Sequence, residues 1–113
     1  MSTKEGKIQK EILDYLKSKG IFHWRQNNGA VYDPKINGYR SHTGMRGVPD
    51  ILLILDGRFI GIEVKTPKGR QSPDQILFQR RCERHGGLYI LARSVDDTKK
   101  ALLDAGLLLD EST

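Results

Sequence analysis

Apolar and polar positions change rhythm several times along this chain, and each change predicts an element. Ile8, Ile12, Tyr15 and Leu16 recur at helical spacing, so Lys4 to Lys19 reads as a helix with one buried stripe, ended by Gly20. Ile21 to Gln26 carries Ile21, Phe22 and Trp24 and reads as a strand, which Asn27-Asn28-Gly29 breaks. Periodicity is weak from Asn28 to Arg46, although Val31-Tyr32 and Tyr39-Arg40 can form a short ribbon around a turn from Pro34 to Gly38. Ile51 to Leu55 has no polar residue, the mark of a central strand buried on both faces. Asp56-Gly57 is a two-residue hairpin signal, and Arg58 to Thr66 then alternates. Ile60, Ile62 and Val64 point one way, and Phe59, Gly61, Glu63 and Lys65 the other.

After a loop from Thr66 to Arg70, Ser72-Pro73-Asp74-Gln75 opens a helix: Ser as the cap, Pro at the first helical position, Gln three residues after the cap. That helix runs to about His85, where Gly86-Gly87 stops it. Leu88 to Ala92 is a further short strand, Ser94 caps a last helix from Val95 to about Ala105, and Leu107 to Leu109 packs back as an extension. The order is α-β-(loop)-β-β-α-β-α. It predicts an α/β fold, a mixed β-sheet flanked by helices. No repeat, low-complexity segment or internal boundary divides residues 1–113, so a single domain is expected.

Composition narrows the function. The 113 residues are 37% hydrophobic, which suits a globular fold, and no apolar run is long enough to span a membrane. Met1 to Lys10 is polar, unlike a signal peptide, and the lone Cys82 cannot form an internal disulfide. The lone cysteine points to a reducing, intracellular setting. Cys82 shares a helical pattern with Phe78 and reads as a core-side residue rather than a nucleophile. The net charge is +5 and the pI about 9.5. The distribution of this charge is more telling than its size. Arg40, His42 and Arg46 precede the Ile51 strand, while Lys65, Lys68 and Arg70 lie at the end of the Glu63 strand and beyond it. With Tyr32 and Tyr39, Arg40, His42 and Arg46 read as a nucleic-acid contact surface, by stacking and phosphate binding, or else as an ordinary solvated loop, while Lys68 and Arg70 flank the hairpin on its other side.

The candidate chemistry lies on the hairpin. Asp50 stands at the mouth of the central strand, and Glu63 and Lys65 share one face of its partner; a helix would set those two about 200° apart. Carboxylates with a nearby ammonium suit metal-assisted phosphodiester hydrolysis. Mg²⁺ and Mn²⁺ are hard ions that take oxygen ligands, and the main-chain carbonyl of Val64 is a plausible further oxygen. Lys65 is suited to orienting the attacking water and offsetting phosphate charge. Glu11, three residues after Ile8, lies on or beside the apolar stripe, either as a surface carboxylate or as one aimed at a cation. Other chemistries lack support: His23, His42 and His85 have no metal-ligand spacing, and Gly44 to Gly47 lacks the residues of a phosphate loop.

Gly47-Val48-Pro49-Asp50, then Glu63-Val64-Lys65, resembles the PD-(D/E)XK nuclease signature. With the helix acid Glu11 and Ser72 to Gln75, the pattern resembles the virus-type replication-repair nuclease (VRR-NUC) domain, over about Lys4 to Ala92. The resemblance implies a restriction-endonuclease-like core in which Glu11, Asp50, Glu63 and the Val64 carbonyl hold metal, Lys65 is catalytic and Gln75 lies in the site. Gln75 also has a purely structural reading, as a capping-box residue. Arg25 and Asn27, at the end of the first strand, are placed to reach the scissile phosphate or to position the acids. Stand-alone members of this class look like phage or mobile-element enzymes that cut branched DNA, including four-way junctions, and cutting two opposed strands requires two active sites, which a homodimer supplies. Flaps, nicks or linear duplex as substrates, and a non-catalytic DNA-binding module, are the rival readings.

Overall fold

The first helix forms where the stripe predicts it. In the computed structural model, which describes residues 4–26, 31–40 and 44–108 (31–33, 39 and 40 by backbone alone), α1 spans Lys4–Ser18. It buries Ile12 and Leu16 completely. Its end is a Schellman motif: the Gly20 N–H donates to the Lys17 carbonyl at 3.0 Å and the Ile21 N–H to the Leu16 carbonyl at 3.1 Å. The chain turns directly into β1 (Phe22–Arg25). The ribbon forms as expected, β2 (Val31–Asp33) pairing antiparallel with β3 (Gly38–Arg40) and Tyr32 standing opposite Tyr39.

The remaining elements are β4 (Ile51–Leu55), β5 (Arg58–Val64), α2 (Pro73–Arg84), β6 (Leu88–Ala92) and α3 (Val95–Asp104). All bounds fall within two residues of the sequence expectation. The main sheet runs β1-β4-β5-β6, antiparallel except for the β5–β6 pair, which is parallel and joined by the α2 crossover. It is thus the mixed, helix-flanked sheet that the element order predicted. The β4–β5 hairpin turns through Asp56 and Gly57, both in the left-handed region at φ 52° and 75°, the geometry of a type I′ turn.

Strand alternation divides the sheet's faces. Ile51, Leu53, Ile60, Ile62, Val64, Ile90 and Ala92 form one face, closed by Ile12 and Leu16 of α1 and Leu102 of α3. Each of these buried branched side chains contributes about 1.5–3 kcal/mol. On the other face α2 lies over the β6 side, its Phe78 ring 6.4 Å from that of Tyr89. Cys82 is half-buried in α2, and burial pushes its thiol upward, matching a core-side role. Leu107 and Leu108 pack on the core as expected, while Leu109 lies outside the described residues.

One expectation needs correction. β4 is central, but only Ile51, Leu52 and Leu53 are buried; Ile54 is 43% exposed. The cause is the position of α2, which lies over the β6 side and does not extend to Ile54, next to the β4–β5 turn on that face. Phe22, Trp24 and Ile54 consequently reach solvent together.

Candidate active site

The motif before β4 works by close packing. Gly47 has φ +75°, and a Cβ there would lie 2.3 Å from the Asp74 carbonyl oxygen, so the loop backbone rests directly on the first turn of α2. Two residues on, Pro49 is fully buried above Gly61, where a Cβ would meet the proline Cγ at 2.7 Å. Any side chain at either glycine would push the loop away. Gly47 and Gly61 therefore fix Asp50 at the sheet's edge, next to β5.

The hairpin register does the rest. Ile51 pairs with Ile62, so the next step outward sets Asp50 across from Glu63 on the same face. Asp50 Oδ2 accepts from the Val64 N–H at 2.9 Å, and the Asp50 carbonyl accepts from the Gln26 N–H at 2.8 Å. Glu63 is 2% exposed, and its Oε1 has no hydrogen-bond partner among the described residues. Lys65 is half-buried, with Nζ 3.7 Å from Glu63 Oε2. Burial, reinforced by Asp50, pushes the Glu63 carboxyl up to about 8, and Lys65 only partly opposes this.

The acid that joins this pair from α1 is Glu5. One carboxylate oxygen from each of Glu5, Asp50 and Glu63 lies within 4.8 Å of the other two. Glu11, the acid expected from α1, lies outside this cluster, and both Glu5 and Glu11 are exposed on the helix. Helical geometry explains the difference. At about 100° per residue, Glu5 lies roughly 20° from the centre of the Ile8–Ile12–Leu16 stripe, and Glu11 roughly 100° from it.

These groups line a cavity of about 440 Å³ with Met45, Arg46, Ser72, Asp74 and Gln75. Gln75 is a capping-box residue that also lies beside this cavity. The Ser72 N–H donates to its Oε1 at 2.8 Å and its own N–H donates to Ser72 Oγ at 3.2 Å, a complete capping box, while the residue also borders the cavity. Arg46 and Asp74 border it too, Asp74 being a wall the sequence reading did not select.

The other basic residues are more scattered. Arg25 is exposed and stands opposite Ile51, so its side chain leaves the sheet on the side away from that of Asp50. Lys68 and Arg70 are exposed in the loop after β5 and do not line the cavity. Arg93 anchors this loop, its Nη1 donating to the carbonyls of Thr66 at 2.6 Å and Gly69 at 2.7 Å. That anchor also went unselected in the sequence. Asn27 and His42 lie outside the described residues, as do the side chains of Tyr32, Tyr39 and Arg40.

Three carboxylates converging on a half-buried lysine repel one another unless a proton or a cation intervenes. Glu63 Oε1, buried without a partner, is such a vacant acceptor, and an all-carboxylate set suits a hard divalent ion. A mixed sheet flanked by helices, with acids and a lysine gathered at a hairpin's mouth, defines a restriction-endonuclease-like α/β domain. The VRR-NUC domain model matches residues 3–96. A solved structure described as a VRR_NUC domain superposes with a TM-score of 0.67 at 25% identity, covering 91% of this chain and 97% of that one. Among curated proteins no sequence match is found. The chain belongs to the VRR-NUC family, and is by that membership a nuclease-type DNA-processing domain. Among the described residues no helix is long and apolar enough to cross a membrane.

Proposed function

We propose that this chain is a divalent-metal-dependent endodeoxyribonuclease that hydrolyses phosphodiester bonds in branched DNA, four-way junctions among them. The observation that carries this reading is the meeting of Glu5, Asp50 and Glu63 with Lys65 in one cavity. Glu5, Asp50, Glu63 and the Val64 carbonyl would hold Mg²⁺ or Mn²⁺. The ion, when bound, supplies Lewis acidity at the phosphate and lowers the pKa of a bound water. Lys65 would orient the attacking water and offset charge on the phosphate. Gln75 keeps the first turn of α2 against the site. Arg46, at the cavity's edge, takes a neighbouring phosphate. Arg25, Asn27, Tyr32, Tyr39, Arg40, His42, Lys68 and Arg70 serve the flanking DNA.

Residues 1–113 act as a single domain in this scheme, and a homodimer supplies the second site for the opposed strand. The exposed Phe22, Trp24 and Ile54 give a second copy an apolar surface to cover, which supports pairing. The test is cleavage of synthetic four-way junction, flap and linear duplex side by side, with and without Mg²⁺ or Mn²⁺, at several salt concentrations. Junction cleavage that needs metal, outpaces linear duplex and falls with salt is the expected result. Equal rates on linear duplex would remove the preference for branches. Absence of cleavage with either ion would leave a DNA-binding module. Sedimentation at twice the chain mass checks the dimer.

The site also separates two similar acids on one helix. Glu5→Gln is expected to weaken metal-dependent cleavage by at least about tenfold, since even indirect partners of a metal commonly carry that much. Glu11→Gln, on the exposed face of α1, should leave the rate at the wild-type level. Titrating Mn²⁺ in the cleavage assay for both variants decides the matter; the opposite ranking would restore Glu11 to the site.

A further inference from the structure

A second groove adjoins the acidic cavity and has a different chemistry. It encloses about 500 Å³ between β5 and α2, within the range of about 300–1,000 Å³ usual for small-ligand sites. Phe59, Leu77 and Phe78 form its apolar walls, and Arg46, Arg81 and His85 bring basic side chains to it. Asp74 is the acid among its lining residues. Met45, Arg46 and Asp74 line both cavities, so the groove lies directly beside the acidic cluster. Phe59, Leu77 and Met45 are 37%, 55% and 61% exposed, more apolar surface than a nuclease site needs for phosphate alone.

Charge identifies the occupant. Apolar walls with a basic rim call for a ligand that is flat and apolar in one part and anionic in another. An unpaired nucleotide has that character, and its base can stack on any aromatic ring regardless of sequence. A second copy centred on the groove would set like charges against each other, Arg46 and Arg81 facing their own equivalents. We infer that this groove receives an unpaired nucleotide of the substrate strand, its base against Phe59 and Phe78 and its phosphate against Arg46 or Arg81. The inference rests on the nuclease reading of the adjoining site and deepens it. It supplies a physical reason for acting at branches, where bases leave the duplex stack at least cost.

The test uses the full chain with Ca²⁺ as the only divalent ion and a gapped duplex carrying 2-aminopurine at its unpaired position. Binding should change the 2-aminopurine fluorescence. Leu77→Glu and Phe59→Leu should each weaken binding to gapped DNA about tenfold more than binding to paired duplex of equal length, the scale of losing one base–aromatic stack. Phe59→Tyr, which keeps a ring, should retain the wild-type ratio. Circular dichroism confirms that each variant is folded; Leu77 is exposed enough for its substitution to leave the fold intact. Equal weakening on both DNAs, or unchanged fluorescence on binding, overturns the inference. So does a dimer that Leu77→Glu splits into monomers, which would make the groove a protein interface. If the wild type cleaves nothing with Mg²⁺ or Mn²⁺ but still shows the fluorescence change and the binding ratio, the nuclease reading falls and the groove stands.

Discussion

Asp50→Asn is expected to slow DNA cleavage by on the order of a thousandfold, the scale of losing a preorganised electrostatic partner of the transition state. The substitution is nearly isosteric. Its amide oxygen can still accept from the Val64 N–H, the bond that Asp50 Oδ2 makes at 2.9 Å, so the mouth of the hairpin keeps its shape. The buried Pro49 and the contact of Gly47 with α2 are untouched. One negative charge is lost from a cluster of three, and with it much of the attraction for a hard divalent ion. Single-turnover cleavage with excess Mn²⁺, beside DNA binding by anisotropy, separates chemistry from recognition. DNA affinity should hold or rise, because a negative group has left the phosphate path. A folded Asp50→Asn that keeps more than about a tenth of the wild-type rate contradicts the roles assigned here.

How far the sequence reached is clearest on this same hairpin. Apolar alternation placed Glu63 and Lys65 on one face, and pairing of Ile51 with Ile62 then brought Asp50 opposite Glu63. These are local, period-two facts that a sequence carries openly. Likewise, Ser72 to Gln75 announced a capping box, and the box formed. What sequence pattern carried poorly was tertiary reach. Choosing Glu5 over Glu11 needed the angle of α1's stripe rather than closeness along the chain. Exposure of Ile54 depended on where α2 comes to rest, which no run of apolar residues encodes. Arg93 anchors the Thr66–Gly69 loop from 24 and 27 residues away, with nothing nearby to announce it. The ribbon of β2 and β3, in contrast, was legible from Val31-Tyr32 and Tyr39-Arg40 on either side of a turn.

Metal-free protein is expected to lose stability as pH rises from about 5 to 9, and Mg²⁺ to return it. Burial and the charge of Asp50 raise Glu63 from an ordinary value of 4.5 to about 8, so the folded state holds a proton that the unfolded chain releases. Between those two values the folded state binds more protons, and stability must therefore fall with rising pH. The contribution is complete below about 4.5 and is lost through about 8. At about 1.4 kcal/mol per unit, and allowing for relaxation around the pair, the loss is on the order of 2–4 kcal/mol. For a domain of this size that lowers the melting temperature by roughly 10 °C. A divalent ion competes with this proton. It needs the ionised carboxylate, so it should stabilise little near pH 5 and most near pH 9, releasing a proton on binding near neutrality. At a hundredfold excess over its dissociation constant it would restore about 2.7 kcal/mol. Melting curves at pH 5, 7 and 9, with EDTA or with Mg²⁺, measure each part. Glu63→Gln is the discriminating variant. It keeps the buried shape without the ionisation, so its metal-free melting temperature should change little over this pH range, and Mg²⁺ should stabilise it less than the wild type at pH 9. A slope that persists in Glu63→Gln would belong to other groups, and Glu63 would not be where proton and metal compete.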